Sequence, residues 1–140
     1  MRFEASTRIG ATPQRVWQIY ADVERWPEWT WSVTSVERLD TGPLALGSRV
    51  RIRQPRLPTT VWTVTELVPG HHFLWQATGL GTTSIGGHFV DADGEQARAT
   101  ARLDQHGPGG ALIGWLSAAL TRRYLDLELA GLKNRAETAT

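Results

Sequence analysis

The first residues of the chain alternate between polar and apolar side chains. Between residues 2 and 9, one side of an extended chain carries Phe3, Ala5, Thr7 and Ile9. The other side carries only charged and hydroxyl side chains. This two-residue period predicts a half-buried β-strand.

The period changes to a helical one directly after this strand. Thr12 is a good N-cap, and Pro13 suits the first helical position because its missing N–H costs nothing there. Val16, Trp17 and Tyr20 then recur at helical spacing. The pattern predicts a helix that begins at Pro13.

Three tryptophans follow within six positions, in a chain that holds seven. A second short helical turn is predicted from Val23 to Trp26, and Pro27 is expected to end it. Trp31 has the parity of Trp29, so either side chain is a candidate to reach the interior.

Residues 31 to about 105 show a pattern of strands and tight turns. The turns are predicted at Pro69-Gly70, Leu80-Gly81 and Asp93-Gly94. If each is a two-residue loop, the strand register is fixed. It pairs Val64 with Trp75, Trp62 with Ala77, Trp75 with Gly86, Phe73 with His88, Ala77 with Ser84, His88 with Ala99 and Gly86 with Ala101.

Cross-strand partners point to the same side of a sheet, so this register defines an inner face. Its members are Trp62, Val64, Phe73, Trp75, Ala77, Ser84, Gly86, His88, Val90, Ala97, Ala99 and Ala101. The face mixes very large with very small side chains. Two interpretations stay open: a closed core beneath a helix, or a cavity lined by the aromatic rings. Glu66 shares this face at a strand end, where a solvated position is expected.

A Gly/Pro-rich loop at residues 107–110 precedes a predicted long helix. One apolar stripe of this helix carries Leu112, Leu116, Ala119, Leu120, Leu127 and Ala130, with Arg123 inside it. A second stripe carries Trp115, Leu125, Leu129 and Leu132. A helix that is apolar on two sides is wedged between surfaces, covers a hollow or meets a partner chain. A homodimer is therefore one option.

Composition narrows the function classes. With 140 residues the chain is expected to form one domain, residues 1–140. The net charge of +1 indicates no nucleic-acid partner and no anionic membrane surface. The absence of cysteine excludes disulfides and thiolate metal sites, and the four histidines are scattered, so neither a metal nor a cofactor is expected. No signal peptide and no membrane span are recognised, which predicts a cytoplasmic protein.

Two side chains are candidates for chemistry. The register places His88 on the inner face, where it could hydrogen-bond a ligand or move a proton near neutral pH. The alternative is a histidine whose ring is satisfied by backbone or water. Arg123 could pair with an oxyanion or a carboxylate in the interior, or extend from the groove edge to solvent.

The order of elements is a strand, two short helices, six strands and a long C-terminal helix. With the segments "ATPQRVWQIYADVERWPEW", "LALGSRVRIRQP", "VWTVTEL", "GHFVDADGEQARATARL" and "LTRRYLDLELAGLKNRAE", the chain resembles the START-like (SRPBCC, helix-grip) superfamily, most closely its bacterial polyketide cyclase/dehydrase-like branch. The resemblance covers nearly the whole chain. It implies an α+β helix-grip fold, in which a curved antiparallel seven-stranded sheet wraps around the C-terminal helix. It also implies a hydrophobic cavity between them. In this architecture, Trp26 and Trp29 are expected to close the junction between the second short helix and the first long strand.

Three function hypotheses remain. The first is a binding protein for a hydrophobic small molecule such as a lipid, a quinone or a polyketide-like aromatic. The second is a polyketide cyclase, aromatase or dehydratase that uses His88 and Arg123; no carboxylate is recognised that would orient His88, which counts against it. The third is a co-chaperone-like interaction module, whose expected sign is an exposed second stripe on the long helix. The expected ligand contacts are Trp62, Val64, Phe73, Trp75, Ala77, Gly86, His88, Ala99, Ala101, Leu116, Leu120 and Arg123.

Overall fold

The computed structural model describes the backbone of residues 1–79, 81–108 and 110–138, and the side chains of the same ranges except 110–117. The elements are β1 (Arg2–Ile9), α1 (Pro13–Ala21), a 3₁₀ helix (Val23–Glu28), β2 (Ser35–Arg38), β3 (Arg49–Arg53), β4 (Thr60–Val68), β5 (His72–Gly79), β6 (Thr82–Asp93), β7 (Gln96–His106) and α2 (Gly110–Glu137).

All seven strands form one antiparallel sheet in the order β1-β7-β6-β5-β4-β3-β2. The helices pack on one face of this sheet, and the predicted helix-grip fold is confirmed. In the described part of the chain, neither helix combines the length and apolarity that crossing a bilayer requires.

Helix α1 begins as the sequence predicts. Thr12 is extended (φ −69°, ψ 152°), and its hydroxyl accepts a hydrogen bond from the Arg15 backbone N–H at 3.2 Å. Pro13 occupies the first helical turn. Val16 and Tyr20 lie one turn apart and are both buried, so α1 packs its apolar face on the sheet.

The tryptophan cluster divides between core and solvent. The 3₁₀ helix continues through Pro27, which does not end it as predicted, because proline's fixed φ matches that of a 3₁₀ turn. Trp26 is 2% exposed, and its indole N–H donates to the Tyr20 carbonyl at 2.9 Å. Trp29 is half-buried against it. Trp31 is 89% exposed, so it does not reach the interior.

The predicted register between β5 and β6 is confirmed. Trp75 faces Gly86, and Phe73 faces His88.

The register between β4 and β5 holds for a different reason than expected. The turn at 69–71 is one residue longer than predicted, and a β-bulge between Val64 and Glu66 compensates for it. Val64 therefore still faces Trp75. Beyond the bulge the faces are exchanged, so Glu66 lies on the outer face, where its carboxylate is 2.6 Å from His72 Nε2.

The register between β6 and β7 differs from the prediction by two residues. The turn is Gly94-Glu95, with Gly94 at φ +67°, as a type II′ turn requires at its first position. His88 therefore faces Ala101 rather than Ala99. A shift of two residues exchanges partners but keeps every side chain on its face, so the predicted inner face remains correct.

Helix α2 turns its second stripe toward the sheet. Leu129 and Leu132 are buried, and Leu125 packs against the same core. Ala119 and Ala130 of the first stripe are exposed. The stripe that would have supported an interaction module is thus used for internal packing, over the part of α2 whose side chains are described.

Two contacts fix the position of α2. A Cβ at Gly131 would lie 1.8 Å from the Trp29 carbonyl oxygen, so only glycine permits this close approach. The Arg15 guanidinium donates to the carbonyls of Ala136 at 2.7 Å and Thr138 at 2.9 Å. A cation at a helix C-terminus satisfies carbonyls that lack helical partners and interacts favourably with the helix dipole.

Candidate functional site

A cavity of about 820 Å³ lies between the inner face of the sheet and α2. Its aromatic wall consists of Trp26, Trp62 and Trp75. The ring of Trp75 lies 5.4 Å from that of Trp26 and 5.8 Å from that of Trp62, measured between centroids. Tyr124 and Leu125 of α2 face this wall. The volume is typical of a site for a small organic molecule.

The expected ligand contacts divide into three groups. The cavity is lined by Trp62, Trp75, Ala77, Gly86, His88 and Ala101. The packed core, with at most 1% exposure, contains Val64, Phe73 and Ala99. The remaining positions are Leu120 and Arg123, which are not part of the described wall, and Leu116, which lies outside the described side chains.

Gly86 shows why the mixture of large and small residues does not everywhere mean empty space. A Cβ at this position would lie 2.7 Å from Nε1 and 2.8 Å from Cδ1 of the Trp75 indole. The indole therefore occupies the room that the glycine leaves. Part of the mixture is complementary packing, and the hollow begins beyond it.

The rotation of α2 decides which of its side chains meet the cavity. Thr121, Leu125 and Glu128 lie on the wall at helical spacing. Arg123 points away from them and is exposed. The prediction that Arg123 reaches the interior is therefore wrong, and its extension to solvent is correct.

His88 lines the cavity and is surrounded by aromatic rings. Its ring stacks on Phe73 at a centroid distance of 4.2 Å, and the edges of Trp75 and Tyr20 lie at 4.8 and 5.3 Å. Nδ1 is 3.2 Å from the Phe73 carbonyl oxygen, which can only accept, so Nδ1 carries the proton.

Burial sets the protonation state of His88. Desolvation lowers its pKa from 6.5 to about 3, and the hydrogen bond to Phe73 opposes this to a smaller extent. His88 is therefore neutral at pH 7. With Nδ1 committed to the backbone, Nε2 can accept a hydrogen bond from a ligand. An imidazole with this pKa is a poor base near neutral pH.

The sequence reasoning missed the main ionisable group of the cavity, which is Glu128. Its side chain lines the cavity and is 9% exposed. The Tyr20 hydroxyl donates a hydrogen bond of 2.5 Å to Glu128 Oε2. Since the Tyr20 ring also contacts His88, the three side chains form one buried cluster from α1, α2 and β6.

The Tyr20–Glu128 pair has two different titration behaviours. Desolvation raises the pKa of Glu128 from 4.5 to about 7, and the hydrogen bond from Tyr20 partly opposes this. Burial, together with the neighbouring Glu128 charge, raises the pKa of Tyr20 well above its usual value. Tyr20 therefore stays a donor, while Glu128 exchanges its proton near neutral pH. A carboxyl with this pKa suits general acid or base chemistry.

A signal for Glu128 is present in the sequence. It occupies the position between Leu125 and Leu129, on the stripe that includes Leu132. A carboxylate inside an apolar helical stripe is either exposed by rotation of the helix or buried with a partner. Knowing that this stripe faces inward would have identified Glu128, but the two stripes could not be ranked from the pattern.

Metal-ligand types do not converge in the described part of the chain. No three histidine, aspartate or glutamate side chains there lie close enough to hold an ion.

The fold and site can now be compared with known proteins. The family model described as polyketide cyclase / dehydrase and lipid transport matches residues 1–137. No curated protein matches the chain. Among solved structures, the Zhui aromatase/cyclase from Streptomyces sp. R1128 is 18% identical with a TM-score of 0.78, over 98% of this chain and 93% of that one.

Two further structures extend the comparison. A START superfamily protein from Mycobacterium smegmatis is 15% identical with a TM-score of 0.74, over 97% of both chains. The Aha1 dimer from Colwellia psychrerythraea is 17% identical with a TM-score of 0.70, over 98% of this chain and 96% of that one. At these identities the likeness shows a shared fold alone. The family model, however, spans nearly the entire sequence, and the chain belongs to the polyketide cyclase / dehydrase and lipid transport family.

Proposed function

We propose that the protein binds a largely apolar small molecule with a planar aromatic part in the cavity between the sheet and α2. The observation that carries this proposal is the wall of three indole rings, from Trp26, Trp62 and Trp75, around a volume of about 820 Å³. Aromatic faces gain most from offset or edge contacts with other rings. A polyketide-like aromatic or a quinone therefore fits this wall better than a saturated lipid chain.

The binding test uses N-phenyl-1-naphthylamine, an uncharged aromatic probe. The probe should bind at one site and quench tryptophan emission. Ala77→Trp should abolish binding, because Ala77 lies on the cavity wall. Ala92→Trp is the matched control, since Ala92 is exposed on the same sheet. A folded Ala77→Trp variant that binds the probe like the wild type would overturn the proposal.

A second candidate function, an acid–base step on the bound molecule, is favoured by the buried Glu128 carboxyl. In its ionised form Glu128 would take a proton from a carbon next to a carbonyl group of the ligand. The resulting enolate would attack a second carbonyl of the same chain, and the new alkoxide would recover the proton. Loss of water would complete a cyclisation with dehydration. The Tyr20 hydroxyl would keep the carboxyl in place.

The catalytic test is exchange of the methyl protons of 2-acetylnaphthalene for deuterium, followed by NMR. Glu128→Gln should slow the catalysed exchange on the order of 100-fold while probe binding survives. Glu66→Gln is the control, because Glu66 is exposed on the outer face. If the wild type accelerates no exchange over buffer, the acid–base step is wrong and the binding function is unaffected. No observation favours the interaction module, whose expected stripe lies in the core over its described part.

A further inference from the structure

A second polar site lies at the end of the cavity opposite His88. Thr82 and Gln105 line the cavity there and are only 6% and 9% exposed. Within the described residues, neither Thr82 Oγ1 nor Gln105 Oε1 has a hydrogen-bond partner. Buried polar atoms without partners are rare in proteins, because such an atom loses its hydrogen bonds to water and gains none in return.

The strand register brings the two side chains together on the inner face. Gln105 pairs with Ser84, two residues along β6 from Thr82, so Thr82 and Gln105 are diagonal neighbours. Such neighbours lie about 7–8 Å apart, within reach of a long side chain. The backbone of Gln105 is anchored by a 2.9 Å hydrogen bond from its N–H to the Met1 carbonyl, which fixes where its side chain begins.

The chemistry of the pair selects one kind of ligand group. Gln105 Oε1 can only accept a hydrogen bond, and the Thr82 hydroxyl can both donate and accept. A ligand carbonyl would satisfy Thr82 alone. A ligand hydroxyl would donate to Gln105 and accept from Thr82, so it satisfies both atoms.

The distance between the two polar ends sets the shape of the ligand. His88 faces Ala101, and Gln105 lies four residues further along β7. At about 3.4 Å per residue this separation is about 14 Å, and Thr82, six residues from His88 along β6, lies about 20 Å from it. The walls between the two ends are mostly apolar, with Trp62, Trp75 and Ala77.

We propose that Thr82 and Gln105 form a distal subsite that binds a hydroxyl group at the far end of an elongated ligand whose near end lies at Glu128 and His88. This inference rests on the proposed binding function and adds the ligand class: an apolar body that carries hydrogen-bonding groups about 14–20 Å apart. The two atoms, which have no partner among the described residues, bind the ligand and contribute nothing to the stability of the empty protein.

The test compares dodecan-1-ol with dodecane-1,12-diol as competitors of N-phenyl-1-naphthylamine. Both alcohols place one hydroxyl at the near end, and only the diol carries a second one at the far end. We divide the inhibition constant of the mono-alcohol by that of the diol. This ratio should fall three- to tenfold in Thr82→Val and in Gln105→Leu, which is the equivalent of one hydrogen bond. Gln96→Leu, at an exposed position of the same strand, should leave the ratio unchanged.

Stability supplies an independent readout. Without ligand, Thr82→Val and Gln105→Leu should melt at the same or a higher temperature than the wild type, because each removes a buried atom that has no partner among the described residues. A melting temperature lower by several degrees in the nearly isosteric Thr82→Val would show a structural role and overturn the subsite.

The two proposals fail in different ways. If both alcohols displace the probe and their ratio is the same in every variant, the subsite is wrong and the binding function stands. If the probe does not bind to the wild type, the binding function fails and the subsite fails with it.

Discussion

The inner face of the sheet has two halves, one filled by side chains and one hollow. Both halves combine large and small side chains. In the filled half, the side chains of Phe73, Val90 and Ala99 are at most 1% exposed, and at its border the Trp75 indole covers Gly86. In the hollow half, Ala77 and Ser84 line an open volume. Composition of a face therefore does not decide whether it is a core or a cavity. What decides is which other elements insert side chains above it.

The filled half receives those side chains from the two short helices. Tyr20 of α1 and Trp26 of the 3₁₀ helix both reach the His88 ring, at centroid distances of 5.3 Å. The hollow half is covered by α2, which contributes Thr121 and Tyr124 to its wall. Glu128 lies where the halves meet, and it is the carboxyl whose environment this boundary determines.

The largest expected effect is on the pH dependence of the free energy of unfolding. Glu128 and His88, the two ionisable groups near that boundary, respond to pH in opposite directions. Because burial raises the pKa of Glu128 to about 7, its contribution to the free energy of unfolding is present below pH 4.5 and lost as the pH rises to 7. Because burial lowers the pKa of His88 to about 3, its contribution is present above pH 6.5 and lost as the pH falls. Between pH 4.5 and 6.5 the two effects oppose each other.

Single substitutions should separate the pH effects of Glu128 and His88. Glu128→Gln should gain on the order of 3 kcal/mol relative to the wild type between pH 4.5 and 7. His88→Phe should gain a similar amount, on the order of 3 kcal/mol, as the pH falls from 6.5 to 4.5. Urea unfolding at several pH values measures both. Parallel pH profiles for wild type and Glu128→Gln would show that Glu128 is solvated, and the boundary would then lie elsewhere.

A second pair of variants compares the halves directly with the same chemistry. Ala99→Leu adds three carbons to a position with no exposure and should destabilise the protein by about 3 kcal/mol. Ala77→Leu adds them to the cavity wall, should cost less than about 1 kcal/mol, and should weaken binding of N-phenyl-1-naphthylamine. Equal losses of stability in urea unfolding would mean that the two halves are equally filled.

A third pair tests the border residue Gly86. Gly86→Ala places a methyl group against the Trp75 indole, which should move into the cavity at a cost of about 1–2 kcal/mol and weaken probe binding several-fold. Gly87→Ala is a matched control, since its methyl group would meet the Phe89 ring at 2.6 Å on the outer face. Tryptophan emission should change in the first variant and stay constant in the second. Loss of probe affinity in both would point to a general loosening of β6.

Much of the fold could be predicted because short-range rules act on the strands. Alternation identified the inner face, and turn residues identified which strands pair. Two turns differ from their predicted positions, and neither difference changes the inner face. Between β4 and β5, the bulge after Val64 restores the predicted register. Between β6 and β7, the shift at Gly94 is two residues long, so each side chain keeps its face. Only Glu66, beyond the bulge, was assigned to the wrong face.

The site could be predicted only in part, because it depends on the rotation of α2 and on the approach of the short helices. Neither quantity has a local signal. Arg123 and Glu128 occupy different sides of the same helix, and the apolar pattern supported both orientations. The contact of Gly131 with the Trp29 carbonyl fixes the rotation, and it joins residues about a hundred positions apart in the chain.

The smallest expected effect is a difference of about 1 kcal/mol between two pH values in what Tyr20 contributes to stability. Tyr20 links the filled half to Glu128. Tyr20→Phe keeps the ring contacts with His88 and Trp26 and removes the hydrogen bond to the carboxyl. Near pH 8, where Glu128 is ionised, the loss should be about 1.5–3 kcal/mol, as for a hydrogen bond to a charged group. Near pH 5, where Glu128 is neutral, it should be only about 0.5–1.5 kcal/mol. Since the Tyr20 hydroxyl lowers the pKa of Glu128, its removal should move the inflection of the stability profile to a higher pH than in the wild type. An inflection that stays in place, with the same loss at both pH values, would mean that the hydroxyl serves packing alone and does not tune the carboxyl.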